Sequence, residues 1–436
     1  MVQLNEVWLV DYARTAFSRS RPGDPQRDVL SDYRTDELLG TLLIKMFEQD
    51  QYLGGKPVEK KDVEEFGVGT AFGVYESWTY AGRFPLFQAG FPVTTSSFFV
   101  DKQCASAGAA LAFVSQEIMT GQIDIGMATG VEHMTRIPMS NDWTAPPWDI
   151  ANPESRWYRP ELDLKNSFNM LQTAQKLYEE ETPYFKKEDL DRFGVRSHDL
   201  TVKNQETGWF KGEIIPVEGH IDGNLEEKIM IDKDMAARKS TMEQMAGLRR
   251  LSQPFYLEKN IRGEDIGGKS GYIQREGTEE GVITAGNSSP LNAGATACML
   301  MNAEEAKKRG IEPMARVVSF GWAGVDPRVM GRGPVPASQK ALDMAGLKAD
   351  NIDFWEINEA FCIVALNCMK HFNIPEEKVN IMGGSSAIGH PLGATMVRLT
   401  GTLARILKDN KGKYGIANAC IGSGQGLAVL IENIDA

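Results

Sequence analysis

The sequence predicts an α/β fold in which one unit, a parallel or mixed sheet with helices on both faces, is made twice. Apolar strand-like runs alternate with helical runs along the chain, which is typical of this class. Two stretches of the chain contain the same elements in the same order, which indicates an internal repeat. A long segment of different character interrupts the first of them. Together these observations predict two similar halves and one insertion.

Each half is predicted to contain a strand, a helix, a second strand, a small-residue loop that begins a helix, and a third strand. In the first half these are Val7–Val10, Asp36–Phe47, VEEFGVGTAF, VDKQCASAGAA and IDIGMATGVE. In the second half they are Ala315–Phe320, Ala337–Ala345, NIDFWEINEAF, GGSSAIGHPLGATM and YGIANACIG. The two small-residue loops therefore place Cys104 and His390 at near-equivalent positions of the repeat.

The insertion separates the first half from its closing strand, which we predict at about Val282–Asn302. Aromatic and proline-rich loops in the insertion lead to two charged helices, Ser167–Glu180 and Lys187–Gln205. Insertions of this size commonly line a site, although a lid or an oligomerisation element is the plainer interpretation. The predicted domains are a first half (1–132 plus 282–302), an inserted loop domain (133–281) and a second half (303–436).

Composition excludes several classes of function. The 436 residues include 47 Lys and Arg against 59 Asp and Glu, a net charge of −12, which argues against a nucleic-acid binder because phosphate binding needs a basic face. No segment has the roughly 20 apolar residues that span a bilayer, and the first residues lack the pattern of a secretory signal. Five cysteines are too few for a disulfide framework. We therefore expect free thiols in a reducing, cytoplasmic compartment.

Cys104 is the first candidate for chemistry. It precedes a run of small and apolar residues that predicts a buried helix, and a thiol at a helix N-terminus is expected to have a lowered pKa. The small residues that follow leave room for a substrate at the sulfur. The alternative is an inert buried cysteine, which is the commoner fate of a lone thiol.

His390 is the candidate base. Pro391 fits the first turn of a helix, so the imidazole would lie at a helix start that is equivalent to the one beside Cys104. If the halves pack about a pseudo-two-fold axis, the two loops meet, and a base then lies beside a nucleophile, as covalent catalysis requires. A hydrogen-bonded structural histidine is the alternative.

Cys420 and Asn358 complete the candidates. Cys420 ends a strand before the glycines of CIGSGQG, whose free N–H groups are suited to binding an oxyanion, and a tight turn between strands is the alternative. Asn358 and Glu359 of the tetrad NEAF fall at the carboxyl end of a strand, which is the usual location of α/β sites.

Three further motifs are assigned no function. Residues 263–270 match the P-loop expression, but no strand precedes them and no helix follows. GSGQG leads into a strand instead of a helix, so it is not a dinucleotide fingerprint. Cys362, Cys368 and His371 lack paired metal-ligand spacing and are assigned to the core and surface of a helix, so we predict no metal site.

The motifs CASAGA, NEAF, GHPLGA and CIGSGQG, in this order, resemble those of the thiolase family. The segments Arg196–Val217 and Thr284–Ala295 are similar to the family as well, so the resemblance covers nearly the whole chain. It implies the thiolase fold, in which two pseudo-symmetric α/β halves are stacked as α-β-α-β-α layers with an inserted loop domain.

The resemblance implies a role for each matching residue. Cys104 would carry the acyl group as a thioester after activation by His390. His390 and a water held by Asn358 would stabilise the enolate of the second thioester, and Cys420 would move a proton at its α-carbon or at the CoA thiol. The N–H groups of Cys104 and Gly422 would form the oxyanion hole. Three further residues would contact CoA: Ser289, Arg238 and Phe361.

The implied reaction is the reversible, CoA-dependent cleavage of 3-ketoacyl-CoA to acyl-CoA and acetyl-CoA, with CoA as a substrate and no metal or redox cofactor. It implies fatty-acid β-oxidation or related acyl-CoA metabolism and a homodimer or homotetramer, and it leaves open whether the chain is a subunit of a β-oxidation complex. A biosynthetic thiolase specific for acetoacetyl-CoA and, more remotely, a ketoacyl synthase are the alternatives. A catalytically silent lipid-binding relative would have lost a motif residue.

The sequence departs from the family pattern at Ala293, Cys362 and Met396. It also has extra sequence in the tryptophan-rich segment Met139–Leu164 and in Leu257–Gly277. Both segments fall where the family sets its acyl-chain selectivity. We therefore expect an acyl pocket larger than acetoacetyl-CoA needs, and packing of an enlarged lid is the alternative.

Overall fold

The chain folds into two α/β halves and an inserted segment, as seen in a computed structural model that describes residues 4–48, 58–139, 148–159, 167–181, 184–252 and 280–436. The described strands are β1 (Val7–Arg14), β2 (Ser18–Arg19), β3 (Glu65–Gly69), β4 (Ser96–Val100), β5 (Ile125–His133), β6 (Val217–Ile221), β7 (Asn224–Ile231), β8 (Asn292–Asn302), β9 (Ala315–Gly324), β10 (Phe354–Ile357), β11 (Tyr414–Ile421) and β12 (Gln425–Glu432). The described helices are α1 (Thr35–Glu48), α2 (Arg83–Gln88), α3 (Ser106–Met119), α4 (Met170–Glu180), α5 (Lys187–Glu206), α6 (Met242–Ala246), α7 (Ala303–Arg309), α8 (Pro334–Ala345), α9 (Cys362–Phe372) and α10 (Thr395–Asn410).

Each half builds its own part of a mixed sheet. In the first half the strand order is β4-β3-β5-β8-β1, in which β3 is parallel to β4 and β5, and β8 is antiparallel to β5 and β1. In the second half the order is β10-β11-β12-β9, and β10 and β11 are parallel. The two parts meet where β1 pairs with β9, at Trp8↔Arg316 and Leu9↔Ala315. The predicted mixed sheet, made twice, is confirmed.

Three apolar cores fill the spaces between five layers, because the central core surrounds the middle helix layer and contacts both parts of the sheet. The central core lies between the two sheets and is filled by the apolar faces of α3 and α10. An outer core packs α1 on the first sheet, and another packs α8 and α9 on the second. Strand β1 alternates between two of these cores, with Val7 and Leu9 in the central one and Trp8 and Val10 in the outer one. The α-β-α-β-α order that the resemblance implies is confirmed.

The closing strand of the first half begins later than the sequence predicts. Strand β8 starts at Asn292 and not near Val282, so that part of the prediction is wrong. The reason is local hydrogen bonding, since the N–H of Thr284 donates to the Asn287 side chain at 2.9 Å and closes a turn. The N–H of Val282 donates to the side chain of Gln175 at 2.8 Å, so this segment is bonded to the insertion instead of to the sheet.

Two glycines in neighbouring strands allow the two central helices to begin close together. Gly69 of β3 and Gly130 of β5 face each other in the sheet. A Cβ added at Gly69 would lie 2.3 Å from the nitrogen of Ala107 in the first turn of α3. A Cβ added at Gly130 would lie 2.2 Å from the carbonyl oxygen of Gly393, just before α10. Only glycine permits approaches this close, so the sheet brings the starts of α3 and α10 together.

A buried ion-pair network anchors the insertion to β1. The guanidinium of Arg14 lies 2.8 Å from the Glu213 carboxylate and 2.7 Å from that of Asp234, and all three side chains are fully buried. Removing one partner would leave an uncompensated buried charge, which is strongly destabilising. The predicted charged helices of the insertion are α4 and α5. The domain boundaries at 132, 281 and 302 stay a prediction.

Two segments that the sequence analysis singled out are incompletely described. The segment Met139–Leu164 is described at Met139 and at residues 148–159, whereas Leu257–Gly277, which contains residues 263–270, lies outside the described residues. In the described part of the chain, no helix combines the length and the apolar character that crossing a membrane requires.

Candidate active site

Cys104 lies in a 3-10 turn, Gln103–Ala105, directly before α3. The hydroxyl of Ser106 closes this turn, because it donates to the carbonyl of Gln103 at 2.7 Å and accepts from the N–H of Lys102 at 2.9 Å. Gln103 has φ 50°, which a residue with a side chain adopts only when its surroundings hold it there. The loop therefore presents Cys104 in a fixed position.

The Cys104 sulfur lies beside two backbone N–H groups and a second thiol. Its side chain is 9% exposed, and the sulfur accepts hydrogen bonds from the N–H of Gly422 and from its own N–H. Cys420, at the end of β11, is fully buried and close enough to Cys104 for the two thiols to interact electrostatically. The structure thus brings together Cys104, Cys420 and Gly422, which the sequence places more than 300 residues apart.

The predicted lowering of the pKa of Cys104 is wrong. Burial raises the pKa of this thiol to about 12 and outweighs the two N–H hydrogen bonds, which lower it. Burial also raises the pKa of Cys420 well above its ordinary value. Both thiols are therefore neutral at rest, and Cys104 needs a base that takes its proton during the reaction.

The hydrogen bonds of His390, the predicted base, define its tautomer. The hydroxyl of Thr395 donates its single hydrogen to the carbonyl of Pro391 at 2.9 Å. It therefore accepts from Nδ1 of His390, which lies 2.6 Å away and must carry the ring hydrogen. Nε2 therefore carries the lone pair of the ring and can only accept a hydrogen bond. Burial, together with the charge of Arg398, lowers the pKa of His390 to about 3, so the ring is neutral at rest.

The loop of His390 is held by Asn292, the first residue of β8. The N–H of His390 donates to Oδ1 of Asn292 at 2.8 Å, and Nδ2 of Asn292 donates to the carbonyl of Ser18 at 2.7 Å. Gly389 has φ 122°, and a Cβ there would lie 2.7 Å from Nδ2 of Asn292. Only glycine therefore allows the backbone to make this turn directly before His390.

A hydrogen-bond chain orients Asn358 toward His390. Arg398 can only donate, and its Nη2 donates to the Ser385 hydroxyl at 2.5 Å. That hydroxyl donates its own hydrogen to Oδ1 of Asn358 at 2.7 Å. The amide nitrogen of Asn358 must then face Nε2 of His390, 3.3 Å away. The structure therefore brings Asn358 and His390 together, and the amide nitrogen of Asn358 donates to Nε2 of His390.

Apolar contacts join the two groups of residues. Cys104 packs in one buried cluster with Leu392, two positions after His390, together with Ala71 and Met134. Met170, at the start of α4, extends the insertion to this place, since a Cβ added at Gly422 would lie 3.9 Å from its sulfur. Such a dry wall suits the apolar chain of a substrate and strengthens electrostatic interactions inside the site.

The residues that the resemblance assigns to CoA lie in two places. The hydroxyl of Ser289 donates to the carbonyl of Ala360 at 3.2 Å, and the neighbouring Ser288 forms a bridge with buried Phe361. This segment therefore runs beside the NEAF motif. Arg238 is exposed after β7, and its charge acts on Arg19 and on buried His198, so these three residues form a basic cluster. Their contacts with CoA stay a prediction.

Sequence reasoning missed five residues that hold the site, namely Glu132, Asn292, Ser385, Thr395 and Arg398. All five are buried polar side chains. Two of them carried a readable signal, because Glu132 interrupts the apolar strand IDIGMATGVEH and Arg398 lies within a helix whose other residues are mostly apolar or hydroxylic. No comparable signal marks a buried serine or threonine.

The structure describes two of the three motifs that were assigned no function. Cys362 and Cys368 are buried in α9, and His371 is exposed at its end. The first three residues of GSGQG form the turn between β11 and β12, and the last two begin β12. Within the described ranges, no group of three or more His, Cys, Asp and Glu side chains is arranged to hold a metal ion.

Comparison with known families identifies the class. The family model of the thiolase N-terminal domain matches residues 7–254, and that of the thiolase C-terminal domain matches residues 311–433. The chain belongs to the thiolase family, and it is an acyltransferase. This confirms the family that the four motifs predicted.

Individual relatives match along the whole chain. The 3-ketoacyl-CoA thiolase of Marinobacter nauticus is 35% identical and that of Hahella chejuensis 33% identical, and each alignment covers 98% of both chains. Among solved structures, human mitochondrial 3-ketoacyl-CoA thiolase has a TM-score of 0.79 at 26% identity and covers 99% of this chain and 100% of its own. The acetyl-CoA acetyltransferase of Bacillus anthracis has a TM-score of 0.78 at 28% identity and covers 99% of both chains.

Proposed function

We propose that the protein catalyses the reversible, CoA-dependent cleavage of 3-ketoacyl-CoA to acyl-CoA and acetyl-CoA through an acyl-thioester on Cys104. One observation carries the proposal: two N–H donors and a second thiol, that of Cys420, lie beside the sulfur of Cys104. Cleavage of a carbon–carbon bond needs a nucleophile and a separate proton donor, and the two thiols supply them. The relatives named 3-ketoacyl-CoA thiolase support the same reaction.

In the first half-reaction, Nε2 of His390 takes the proton of Cys104 and the thiolate attacks the 3-keto carbon. The N–H groups of Cys104 and Gly422 stabilise the resulting oxyanion. The bond between C2 and C3 then breaks, which leaves the acyl group on Cys104 and the enolate of acetyl-CoA. His390 and a water held by Asn358 stabilise the enolate oxygen, and Cys420 gives its proton to C2, which releases acetyl-CoA.

In the second half-reaction, the Cys420 thiolate takes the proton of an incoming CoA thiol. The CoA thiolate attacks the thioester carbonyl, and the same two N–H groups hold the oxyanion. Cys104 leaves as a thiolate and recovers its proton from His390, which restores both residues. Each proton taken in one step is returned in a later one, so the cycle draws on CoA and on this chain's own groups.

Loss of 3-ketoacyl-CoA enolate absorbance on addition of CoA tests the reaction. We expect Cys104→Ala to lower kcat by at least about 1,000-fold, because nucleophile removal abolishes the covalent route. Cys298→Ala is the matched control, since Cys298 is another free thiol, fully buried in the central core. Undiminished turnover by Cys104→Ala would remove the proposed nucleophile, and equal loss in both variants would indicate a general packing defect.

We further propose that the acyl chain is longer than that of acetoacetyl-CoA, as in fatty-acid β-oxidation or related acyl-CoA metabolism. The apolar wall around Cys104, with Met134 and Leu392, supports this. Thiolysis rates for 3-ketoacyl-CoA substrates of four to sixteen carbons decide the question. Strict selectivity for four carbons would favour the biosynthetic alternative, and activity on carrier-protein substrates alone would favour a ketoacyl synthase.

We also propose a homo-oligomer that pairs the first halves. Within the described residues β4 is the edge strand of its sheet, since it pairs with β3 alone. Exposed aromatic side chains lie around this edge: Trp78, Tyr80, Phe84 and Phe113. Exposed edges and apolar patches of this kind mark interfaces. Light scattering after gel filtration should give the mass of a dimer or tetramer, and a monomer would contradict the proposal.

The proposed chemistry needs no metal or redox cofactor, because side chains, N–H groups and CoA supply every step. All five cysteines are free thiols, which supports a reducing, cytoplasmic compartment. A stoichiometric metal in the purified, active enzyme, or a disulfide between any of these cysteines, would contradict this part of the proposal.

A further inference from the structure

We propose that Glu132 is a positioning residue, whose carboxylate holds the loop beside Cys104 and the loop of His390 in the arrangement that catalysis needs. This inference rests on the proposed function. Glu132 is the penultimate residue of β5, a strand whose nine residues are all buried, and its own side chain is fully buried. The proposed mechanism gives it no task.

The carboxylate joins two segments that are far apart in the sequence. One oxygen, Oε2, accepts the N–H of Ala71 and the N–H of Gly393, each at 2.9 Å. The other oxygen, Oε1, accepts the hydroxyl of Thr70 at 3.1 Å. The first segment belongs to the first half and Gly393 to the second, so a single side chain ties together the two halves of the repeat.

Each segment leads directly to a proposed catalytic residue. The carbonyl of Ala71 accepts from Nε2 of Gln103 at 3.1 Å, and Gln103 is the strained neighbour of Cys104. Gly393 lies three positions after His390, in the turn Leu392–Ala394 that starts α10. Glu132 is therefore linked to the Cys104 loop through Ala71, and to the His390 loop through Gly393.

The local chemistry favours a shared acceptor at this point. Gly393 precedes a helix of 16 residues, whose N-terminus stabilises a negative charge. An apolar side chain in place of Glu132 would leave two buried N–H groups without an acceptor, which is costly. Burial raises the pKa of Glu132 to about 7, so the fold keeps a carboxyl group here despite the cost of desolvating it.

Two conservative variants separate the hydrogen bonds from the charge. Glu132→Gln removes the charge, but its carbonyl oxygen can replace Oε2, and its amide group can then donate to the Thr70 hydroxyl. Glu132→Asp keeps the charge but withdraws the carboxylate by about 1.5 Å, the length of one carbon–carbon bond. The Asp variant therefore cannot reach Ala71 and Gly393 together with the sheet in place.

The control is Asp11→Asn in β1. Asp11 is also a buried carboxyl group whose pKa burial raises to about 7, and it accepts the N–H of Tyr12, its neighbour in β1, at 2.8 Å. Asp11 does not join the two loops, so Asp11→Asn should leave kcat and KM at wild-type values. The control therefore separates the effect of the Glu132 hydrogen bonds to both loops from the general effect of losing a buried carboxyl group.

The experiment measures kcat and KM for thiolysis in wild type and the three variants. We expect Glu132→Gln to keep kcat within about tenfold of wild type and Glu132→Asp to lose about 100-fold, with KM changed less than about threefold in both. Wild-type kcat in Glu132→Asp, or a loss in Glu132→Gln as large as in Glu132→Asp, would overturn the proposal. Absence of thiolysis in the wild type would instead refute the proposed function, so the two failures are distinguishable.

Discussion

Ser385→Ala tests the hydrogen-bond chain that orients Asn358. The Ser385 hydroxyl accepts from Arg398 at 2.5 Å and donates to Oδ1 of Asn358 at 2.7 Å, and all three side chains are buried. Removing the hydroxyl leaves one acceptor and one charged donor unpaired. Each unpaired buried group costs about 1–3 kcal/mol of stability, so we expect a measurable loss in the free energy of unfolding.

The expected effect on catalysis follows from the geometry of the amide. Ser385 supplies the one hydrogen bond to Oδ1 of Asn358 found among the described residues, so its loss weakens the preference for the amide nitrogen to face His390. At present the amide nitrogen of Asn358 lies 3.3 Å from Nε2 of His390. A flipped amide would place Oδ1 there instead, so two acceptors would face each other. We expect kcat to fall about 10–100-fold, which corresponds to about 1.4–2.8 kcal/mol of lost transition-state stabilisation.

Steady-state thiolysis with saturating CoA measures this effect. Ser319→Ala is the matched control, because Ser319 is a buried serine that donates to the carbonyl of Ala341 at 2.7 Å on the outer face of the second sheet. It should lose stability and keep wild-type kcat. Wild-type kcat in Ser385→Ala, or the same fall of kcat in Ser319→Ala, would refute the orienting role of Ser385.

Two further predictions concern the sheet. Asp11→Asn should stabilise the fold at pH 8. Burial raises the pKa of Asp11 from 3.8 to about 7 in the folded state, so the unfolded chain releases this proton at a lower pH. The stability of the wild type therefore falls as the pH rises between these two values. Denaturant unfolding should show a gain of up to about 4 kcal/mol at pH 8 and little at pH 4, and an equal gain at both would contradict the titration of Asp11. Gly130→Ala should lower kcat by at least about tenfold, because its Cβ would lie 2.2 Å from the oxygen of Gly393 and displace the turn after His390. Gly223→Ala, in a hairpin with open space around the added carbon, should not lower kcat, and equal activity of both variants would contradict the close-packing argument.

Sequence patterns predicted the architecture because the central strands are buried on both faces. Val7, Trp8, Leu9 and Val10 are all apolar since alternate positions fill two different cores. The repeat then placed Cys104 and His390 at equivalent helix starts, which the structure confirms. The start of β8 was not predictable, because Val282 is as apolar as a strand residue and only its bond to Gln175 removes it from the sheet.

The electrostatics of the site could not be derived from the sequence. A helix N-terminus favours a thiolate at Cys104, but the depth of burial reverses the direction of the pKa shift, and burial depends on residues from both halves. The same holds for the residues that orient the site. Arg398 acts on Asn358 through Ser385, and Glu132 joins Ala71 to Gly393, so each contact links segments that the chain order keeps apart.

The most direct measurement of the central claim is the mass of the trapped intermediate. The protein is mixed with a 3-ketoacyl-CoA in the absence of free CoA, quenched in acid, digested, and mapped by mass spectrometry. We predict one acyl group per chain, on the peptide that contains Cys104, and none in Cys104→Ala. An acyl group on Cys420 instead, or an unmodified chain from a preparation that turns over with CoA, would contradict the account.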